Sequence, residues 1–288
     1  MNVNLFIHKL YSSLLKRSGK ENNKKSRQHW LDRKYNNQPL ISFIIQSHNK
    51  SEEVKHIAAK LRHVPNCEII VIDDGSTSYH TKALIGYLQG INEFVIRAND
   101  LYENVMYDRA IRLAKGEYLA LLQDDDDFED LTWVDQAVNY FSKYPQLVIL
   151  GGYGGFDLEF GDSKVSQILT LYKKNTDKDF SFVRAVNRAP MWINKSLFFE
   201  KLKSIDYNFA PFQYDDTELC IRAWLNGLQV GWYNAGFQSL TAGGMRIWNS
   251  QFIKEQDLHN SKLLYDLYKD KKDLLDTLVN EANSKCNG

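Results

Sequence analysis

Four short apolar runs, at residues 40–45, 68–72, 93–96 and 118–122, leave this chain few ways to fold. Each run is continuous rather than alternating, so each needs cover on both faces. Strands of that kind belong to a mostly parallel sheet flanked by helices. Residues 52–61 follow the first run and 103–115 follow the third, both with helical spacing, and Gly116 is expected to stop the second helix. Residues 133–144, ended by Pro145, predict another helix, and 147–150 a further strand leading into Gly151-Gly152-Tyr153-Gly154-Gly155. A helix is expected from Asp215 to Asn226 with Gly227 as its stop, and a helical tail from Ser250 onward.

The 288 residues, 43% of them hydrophobic, suffice for one substantial core. Acidic and basic residues balance, so net charge makes no case for nucleic-acid binding. The balance is uneven along the chain: the first 37 residues hold nine Lys or Arg against only Glu21 and Asp32. Three regions follow: a basic extension (1–38), the α/β domain (39–249) and the helical tail (250–288). In the extension, Leu5, Phe6, Leu10, Leu14 and Leu15 recur near helical spacing with Lys9, Lys16 and Arg17 between them. Such a helix either packs on the protein's own body or lies on an anionic membrane surface. Cys67, Cys220 and Cys286 are too dispersed for a disulfide framework or a metal pair, which suits a reducing, cytoplasmic location. No run reaches the roughly 20 apolar residues that span a bilayer, and residues 5–10 are too short for a good signal peptide. The protein is therefore expected to be cytoplasmic, with peripheral membrane contact through the extension as the alternative.

In open parallel sheets, ligands bind beyond the C-terminal ends of the strands. Two strands here end in acid, Asp73-Asp74-Gly75-Ser76 and Gln123-Asp124-Asp125-Asp126-Asp127. Carboxylates so placed hold a hard divalent cation and accept hydrogen bonds from a ribose or a base. Alone, Asp73 to Ser76 reads equally well as a turn with helix-capping residues. Four consecutive aspartates after a buried strand are harder to dismiss, because they repel one another unless a cation or solvent intervenes.

The order Ile41-Ser42-Phe43-Ile44-Ile45-Gln46-Ser47-His48-Asn49-Lys50, Ile70-Val71-Ile72-Asp73-Asp74-Gly75-Ser76, Ala114-Lys115-Gly116-Glu117-Tyr118 and Gln123-Asp124-Asp125-Asp126 resembles the family 2 glycosyltransferases of the GT-A, Rossmann-like fold. The resemblance continues through Asn187-Arg188-Ala189-Pro190 and Tyr214-Asp215-Asp216-Thr217-Glu218, covering roughly residues 39–240. It implies an inverting transfer of sugar from a nucleotide-sugar donor, with uridine diphosphate as the default nucleotide, to a glycan, lipid-linked or protein acceptor. By the same resemblance Gln46, His48, Asn49 and Arg188 line the nucleotide-sugar pocket, Asp73 reads the base and Asp124 contacts the ribose. Asp125 and Asp126 then hold Mn²⁺ or Mg²⁺ against the donor's two phosphates. Gln123 stands where the family's metal motif often has its first aspartate. Tyr107-Asp108 stands where many relatives place an Arg-Asn pair facing the donor, and Arg109 or Arg97 is the candidate for the missing positive charge. His259 is the first histidine available as a further metal ligand.

On the acceptor side, the resemblance makes Asp216 the general base, with Asp215 beside it. An alcohol is a poor nucleophile until its proton leaves. Read from the residues alone, Asp215 is equally an N-cap and Asp216 a first-turn acid. Trp133, Trp192, Trp224, Trp232 and Trp248 could stack on sugars, Trp192 being the one nearest a donor-sugar segment by resemblance, although most should be core. Two other classes compete: a non-catalytic sugar-nucleotide-binding homologue, and a nucleotidyltransferase. The latter expects a Gly-rich phosphate loop after the first strand, and residues 46–50 hold no glycine.

Overall fold

The structure is a computed structural model of the chain; it describes residues 6–7, 9–13, 34–172, 176–188, 190–239 and 250–286. The chain divides into two compact units, Met1–Asn36 and Asn37–Gly288. In the first, residues 6–7 and 9–13 are helical. Phe6 and Leu10, and Ile7 and Tyr11, pair at four-residue spacing, and each of the four is more than half exposed. Leu5, Leu14, Leu15, Lys16 and Arg17 lie outside the described residues.

The second unit is built on an eight-stranded sheet. Its strands are β1 (Ile41–Ser47), β2 (Cys67–Asp74), β3 (Glu93–Ala98), β4 (Tyr118–Leu122), β6 (Leu147–Gly151), β9 (Phe180–Phe182), β11 (Met191–Asn194) and β12 (Gln229–Tyr233). The short β5 (Asp126–Asp127) and β13 (Gln238–Ser239) pair with each other, and β7 (Gly155–Phe160), β8 (Val165–Leu171) and β10 (Ala185–Val186) form a third sheet. The main order is β3-β2-β1-β4-β11-β6-β12-β9. Only β11 and β9 run against their neighbours, so the mostly parallel sheet expected from the apolar runs is present. Phe43, Ile44, Ile45, Val71 and Leu119 through Leu122 are inaccessible to solvent, and each large side chain so buried contributes about 1.5–3 kcal/mol.

The helices follow from their buried faces. Helix α1 (Ser51–Leu61) buries Val54, Ile57, Ala58 and Leu61, and α4 (Thr132–Lys143) buries Trp133, Val134, Ala137 and Phe141, both at the spacing of one helical face. Between them come α2 (Ser78–Tyr87) and α3 (Tyr102–Leu113). Helix α5 (Asp215–Leu225) is buried almost all round. The tail forms α6 (Ser250–Tyr268) and α7 (Lys272–Cys286) within the same compact unit.

Two glycines carry different burdens. Gly227, at φ +74°, ends α5 as expected. Gly116 does not stop α3, because the helix ends at Leu113 and Ala114 is already extended. A Cβ on Gly116 would instead lie 2.5 Å from the backbone nitrogen of Ser42, so close approach to β1 is what demands glycine there. Trp192 belongs to the core: it is fully buried, and its Nε1 donates to the Tyr233 hydroxyl at 2.9 Å. Trp133, Trp224 and Trp232 are buried as well, and Trp248 lies outside the described residues.

Candidate active site

The strand order reverses beside β1, whose neighbours β2 and β4 both run parallel to it. Their C-terminal ends therefore flank the end of β1, the position at which α/β sheets open a crevice. Gln46 is half-buried there, and the chain turns at Asn49 with φ 58°. The His48 N–H donates to Asp124 Oδ2 at 2.8 Å. His48 Nδ1 lies 2.6 Å from the carbonyl oxygen of Asp74, which can only accept, so Nδ1 carries the hydrogen and Nε2 accepts from Asn49 Nδ2. Asn49 then joins the first turn to the second: its N–H donates to Ser76 Oγ and its Oδ1 accepts from the Thr77 N–H.

The two aspartates ending β2 have separate tasks. Asp74 accepts from the N–H groups of Leu101 and Tyr102, both at 2.8 Å, and so anchors the entry to α3. Asp73 is fully buried; its Oδ2 accepts from Thr81 Oγ1 at 2.5 Å, while its Oδ1 has no partner. Ser47, its register partner on β1, likewise has an unpartnered Oγ. Buried polar atoms without partners are uncommon in folded proteins and mark places where a ligand can complete the hydrogen bonding.

At the end of β4, Lys50 Nζ lies 3.2 Å from Asp124 Oδ1 and 3.8 Å from Asp125 Oδ2. Asp125 Oδ2 also accepts from Ser239 Oγ, which the β5–β13 pairing brings alongside. Burial pushes the Asp124 carboxyl up to about 6, with Asp125 adding repulsion, while Lys50 and the His48 N–H work in the opposite direction. Asp126 Oδ2 closes the turn by accepting from the Gln123 N–H at 2.9 Å, and complete burial lifts its carboxyl well above the usual range. Asp127 pairs with Lys60 at 2.6 Å.

Arg188 is 6% exposed. Its Nη2 pairs with Asp215, its Nη1 donates to Glu103 Oε2 at 3.0 Å, and its guanidinium lies 4.9 Å from the centre of the Tyr107 ring. Glu103 Oε1 in turn accepts from Gln123 Nε2 at 3.3 Å. The cation beside Tyr107 is thus Arg188, and neither Arg109 nor Arg97 takes that place. Arg109 stacks over Tyr207 and Arg97 donates to the Ser76 carbonyl. Arg109 also lines a cleft of about 710 Å³ in which it, Arg112 and Arg222 are matched by Asp108, Asp206 and Glu218, which leaves no surplus charge for a diphosphate.

Helix α5 starts under constraint. Gln213 and Tyr214 both have positive φ, 73° and 62°, a conformation that persists only where surrounding contacts enforce it. Asn260 of α6 donates to the Gln213 carbonyl at 2.8 Å and the Tyr214 hydroxyl donates to the Val165 carbonyl. The N-cap is Tyr214, so Asp215 is a first-turn residue whose carboxylate is spent on Arg188. Asp216 is only half-buried, with Oδ1 accepting from the Thr217 N–H at 2.7 Å. His259 is exposed on α6, with Nδ1 3.0 Å from its neighbour Asn260.

A mostly parallel sheet with acidic ends on β2 and β4 around β1 defines the GT-A class of glycosyltransferase. Sequence comparison agrees: the model of glycosyl transferase family 2 matches residues 42–209, and the chain belongs to that family. A putative colanic acid biosynthesis glycosyl transferase, WcaA of Escherichia coli (strain K12), is 30% identical over 119 residues, which are 39% of this chain and 40% of that protein. Among solved structures, the mannosyltransferase PcManGT of Pyrobaculum calidifontis, in complex with GDP-Man and Mn²⁺, has a TM-score of 0.56 at 12% identity, over 88% of this chain and 74% of that one. GalNAc-T7 with UDP, GalNAc and Mn²⁺ has a TM-score of 0.57 at 17% identity, over 68% of this chain and 43% of that one. The TarS 1–349 fragment of S. aureus with UDP-GlcNAc has a TM-score of 0.54 at 14% identity, over 71% of this chain and 59% of that one. The chain thus spans less than half the length of WcaA and of GalNAc-T7 that it matches.

Proposed function

We propose that this chain transfers a sugar, with inversion, from a nucleoside diphosphate sugar to a hydroxyl of a glycan, glycolipid or glycoprotein, and that uridine diphosphate is the leaving group. The observation that carries this reading is the acidic end of β4 drawn against the end of β1. Asp124 is held there by the His48 N–H, and a cation, the Lys50 ammonium, already sits between Asp124 and Asp125. In this reading the unpartnered Asp73 Oδ1 accepts from an N–H of the base, with Gln46, His48 and Asn49 framing the nucleoside. Complexes of similar fold with UDP-GlcNAc or GDP-Man support a nucleotide-sugar donor.

The residues present fit a divalent cation held jointly with the donor. Among the described residues, no group of three or more His, Cys, Asp or Glu side chains could hold a metal by itself. Mg²⁺ commonly takes only one or two carboxylates and completes its shell with phosphates and water. Asp125, with Asp124, would supply those carboxylates, and Mn²⁺ or Mg²⁺ bound there would offset charge on the departing diphosphate. Asp216 takes the acceptor's proton, because it is the half-exposed acid at the head of α5, whereas Asp215 is neutralised by Arg188.

Titration calorimetry of UDP with and without Mn²⁺ tests the donor reading. Mn²⁺ is expected to tighten UDP binding at least about tenfold near neutral pH. A protonated carboxyl attracts no cation, so the gain should shrink as pH falls through about 6, where Asp124 protonates. Asp125→Ala should abolish the gain at every pH. Equal affinity with and without Mn²⁺ throughout would remove the metal from the mechanism.

The first unit supports a peripheral contact with an anionic lipid surface. Phe6, Ile7, Leu10 and Tyr11 present exposed apolar side chains amid the basic excess of the first 37 residues. Among the described residues no helix is long and apolar enough to cross a membrane. Full-length protein should float with phosphatidylserine vesicles, lose flotation on deletion of residues 1–37 and lose it in high salt. Absence of flotation by the full chain eliminates the contact.

A further inference from the structure

Arg188 joins the donor side of the crevice to the acceptor side, and half of its support comes from a residue that no motif singled out. We propose that Glu103 is a positioning residue that, through Arg188, sets the spacing between the strand end carrying Asp124 and Asp125 and the helix carrying Asp216. The proposal rests on the glycosyl-transfer reading above.

Glu103 faces both sides. Its Oε1 accepts from Gln123 Nε2, immediately before Asp124, and its Oε2 accepts from Arg188 Nη1. Arg188 carries the connection onward through Nη2 to Asp215, the neighbour of Asp216. Tyr107, whose ring lies beneath the guanidinium, donates its hydroxyl to the Leu122 carbonyl at 2.7 Å, so the bridge is anchored at the last residue of β4. A guanidinium this deeply buried requires well-placed anions, and here one comes from α3 and the other from α5.

Two features argue that the bridge serves the site rather than the fold alone. Arg188 Nε is buried without a partner, whereas a purely structural arginine would have its donors satisfied. Gln123 also becomes intelligible. Its amide donates to Glu103, whereas an aspartate at that position would set a second anion against the Glu103 carboxylate. Gln123 and Glu103 are thus a matched pair in which Glu103 supplies the negative charge.

The test uses the full chain with Mn²⁺ and UDP-glucose, UDP-galactose and UDP-GlcNAc as probes, measuring single-turnover hydrolysis, UDP affinity and thermal melting. Glu103→Gln should lower turnover at least about tenfold while UDP affinity changes less than about twofold, since spacing and not nucleotide contact is altered. The double variant Glu103→Gln/Gln123→Glu, which returns the charge to the pair, should recover turnover to within about threefold of wild type. Wild-type turnover in Glu103→Gln overturns the proposal. So does a double variant that melts like wild type yet stays as slow as the single variant. If the single variant is too unstable to assay, the double variant is compared with wild type instead: one that melts like wild type yet turns over more than about tenfold more slowly overturns the proposal. A wild-type chain that binds no UDP and hydrolyses none of the probes overturns the glycosyl-transfer reading itself and this proposal with it, whereas an active wild type confines any failure to Glu103.

Discussion

Asp216→Asn should transfer sugar roughly a hundredfold or more slowly than wild type, the loss expected when general-base catalysis is removed, while UDP affinity stays close to wild type. Asn keeps the size of the side chain and its ability to accept from the Thr217 N–H, so the start of α5 is preserved. Asn has no basic oxygen to take the acceptor's proton, so only the role proposed for Asp216 is deleted. Asp124 and Asp125 belong to a different part of the crevice, bound to His48, Lys50 and Ser239, so donor binding has no cause to change. Single-turnover transfer, or donor hydrolysis until an acceptor is found, should be measured alongside calorimetry. Near-wild-type turnover in Asp216→Asn, with Glu218→Gln inactive, would place the base on the wrong carboxylate. Glu218 is nevertheless a poor rival, since it is buried and pairs with Arg222 and the Tyr268 hydroxyl.

Asp215→Asn should be severe for a different reason. A capping aspartate tolerates Asn well, but Asp215 does not cap α5; its carboxylate is the buried counter-ion of Arg188. Removing one partner of a buried ion pair leaves the other charge poorly compensated and costs about 3–5 kcal/mol. Glu103 still faces Arg188 in the variant, which places the expected loss at the lower end, about 3 kcal/mol. In a chain of this size that lowers Tm by on the order of 10 °C. Chemical denaturation measures it directly. A loss below about 0.5 kcal/mol, the level of an ordinary surface change, would mean that Asp215 and Arg188 are not paired. Asp216→Asn should show no such destabilisation, so the two neighbouring carboxylates separate into one that stabilises and one that reacts.

The contrast shows where sequence reasoning reached its limit. Asp215 and Asp216 are adjacent acids at a helix start, and nothing in their local pattern says which is turned inward. The same ambiguity held for Asp124 through Asp127. Asp124 and Asp125 engage Lys50, Asp126 turns back onto Gln123 and Asp127 pairs with Lys60. Trp192 offered a plausible sugar platform until its burial against Trp133, with ring centres 5.2 Å apart, put it in the core.

Hydrophobic periodicity reports which residues must leave water, and that information is local. The sequence alone therefore determined the strands β1, β2, β3, β4 and β6, the helices α1, α3, α4 and α5, the helical tail, and the acidic ends of β2 and β4. It missed β8, β9 and β10, because β9 and β10 are very short and β8 is largely exposed, so none of the three shows a clean period. Only the tertiary structure decided the charge pairing. Lys50 meets Asp124 across the β1–β4 seam, and Glu103 meets Arg188 from 85 residues away. Such partners are selected by the geometry of packed elements, since a buried charge settles on whichever opposite charge the fold brings within reach.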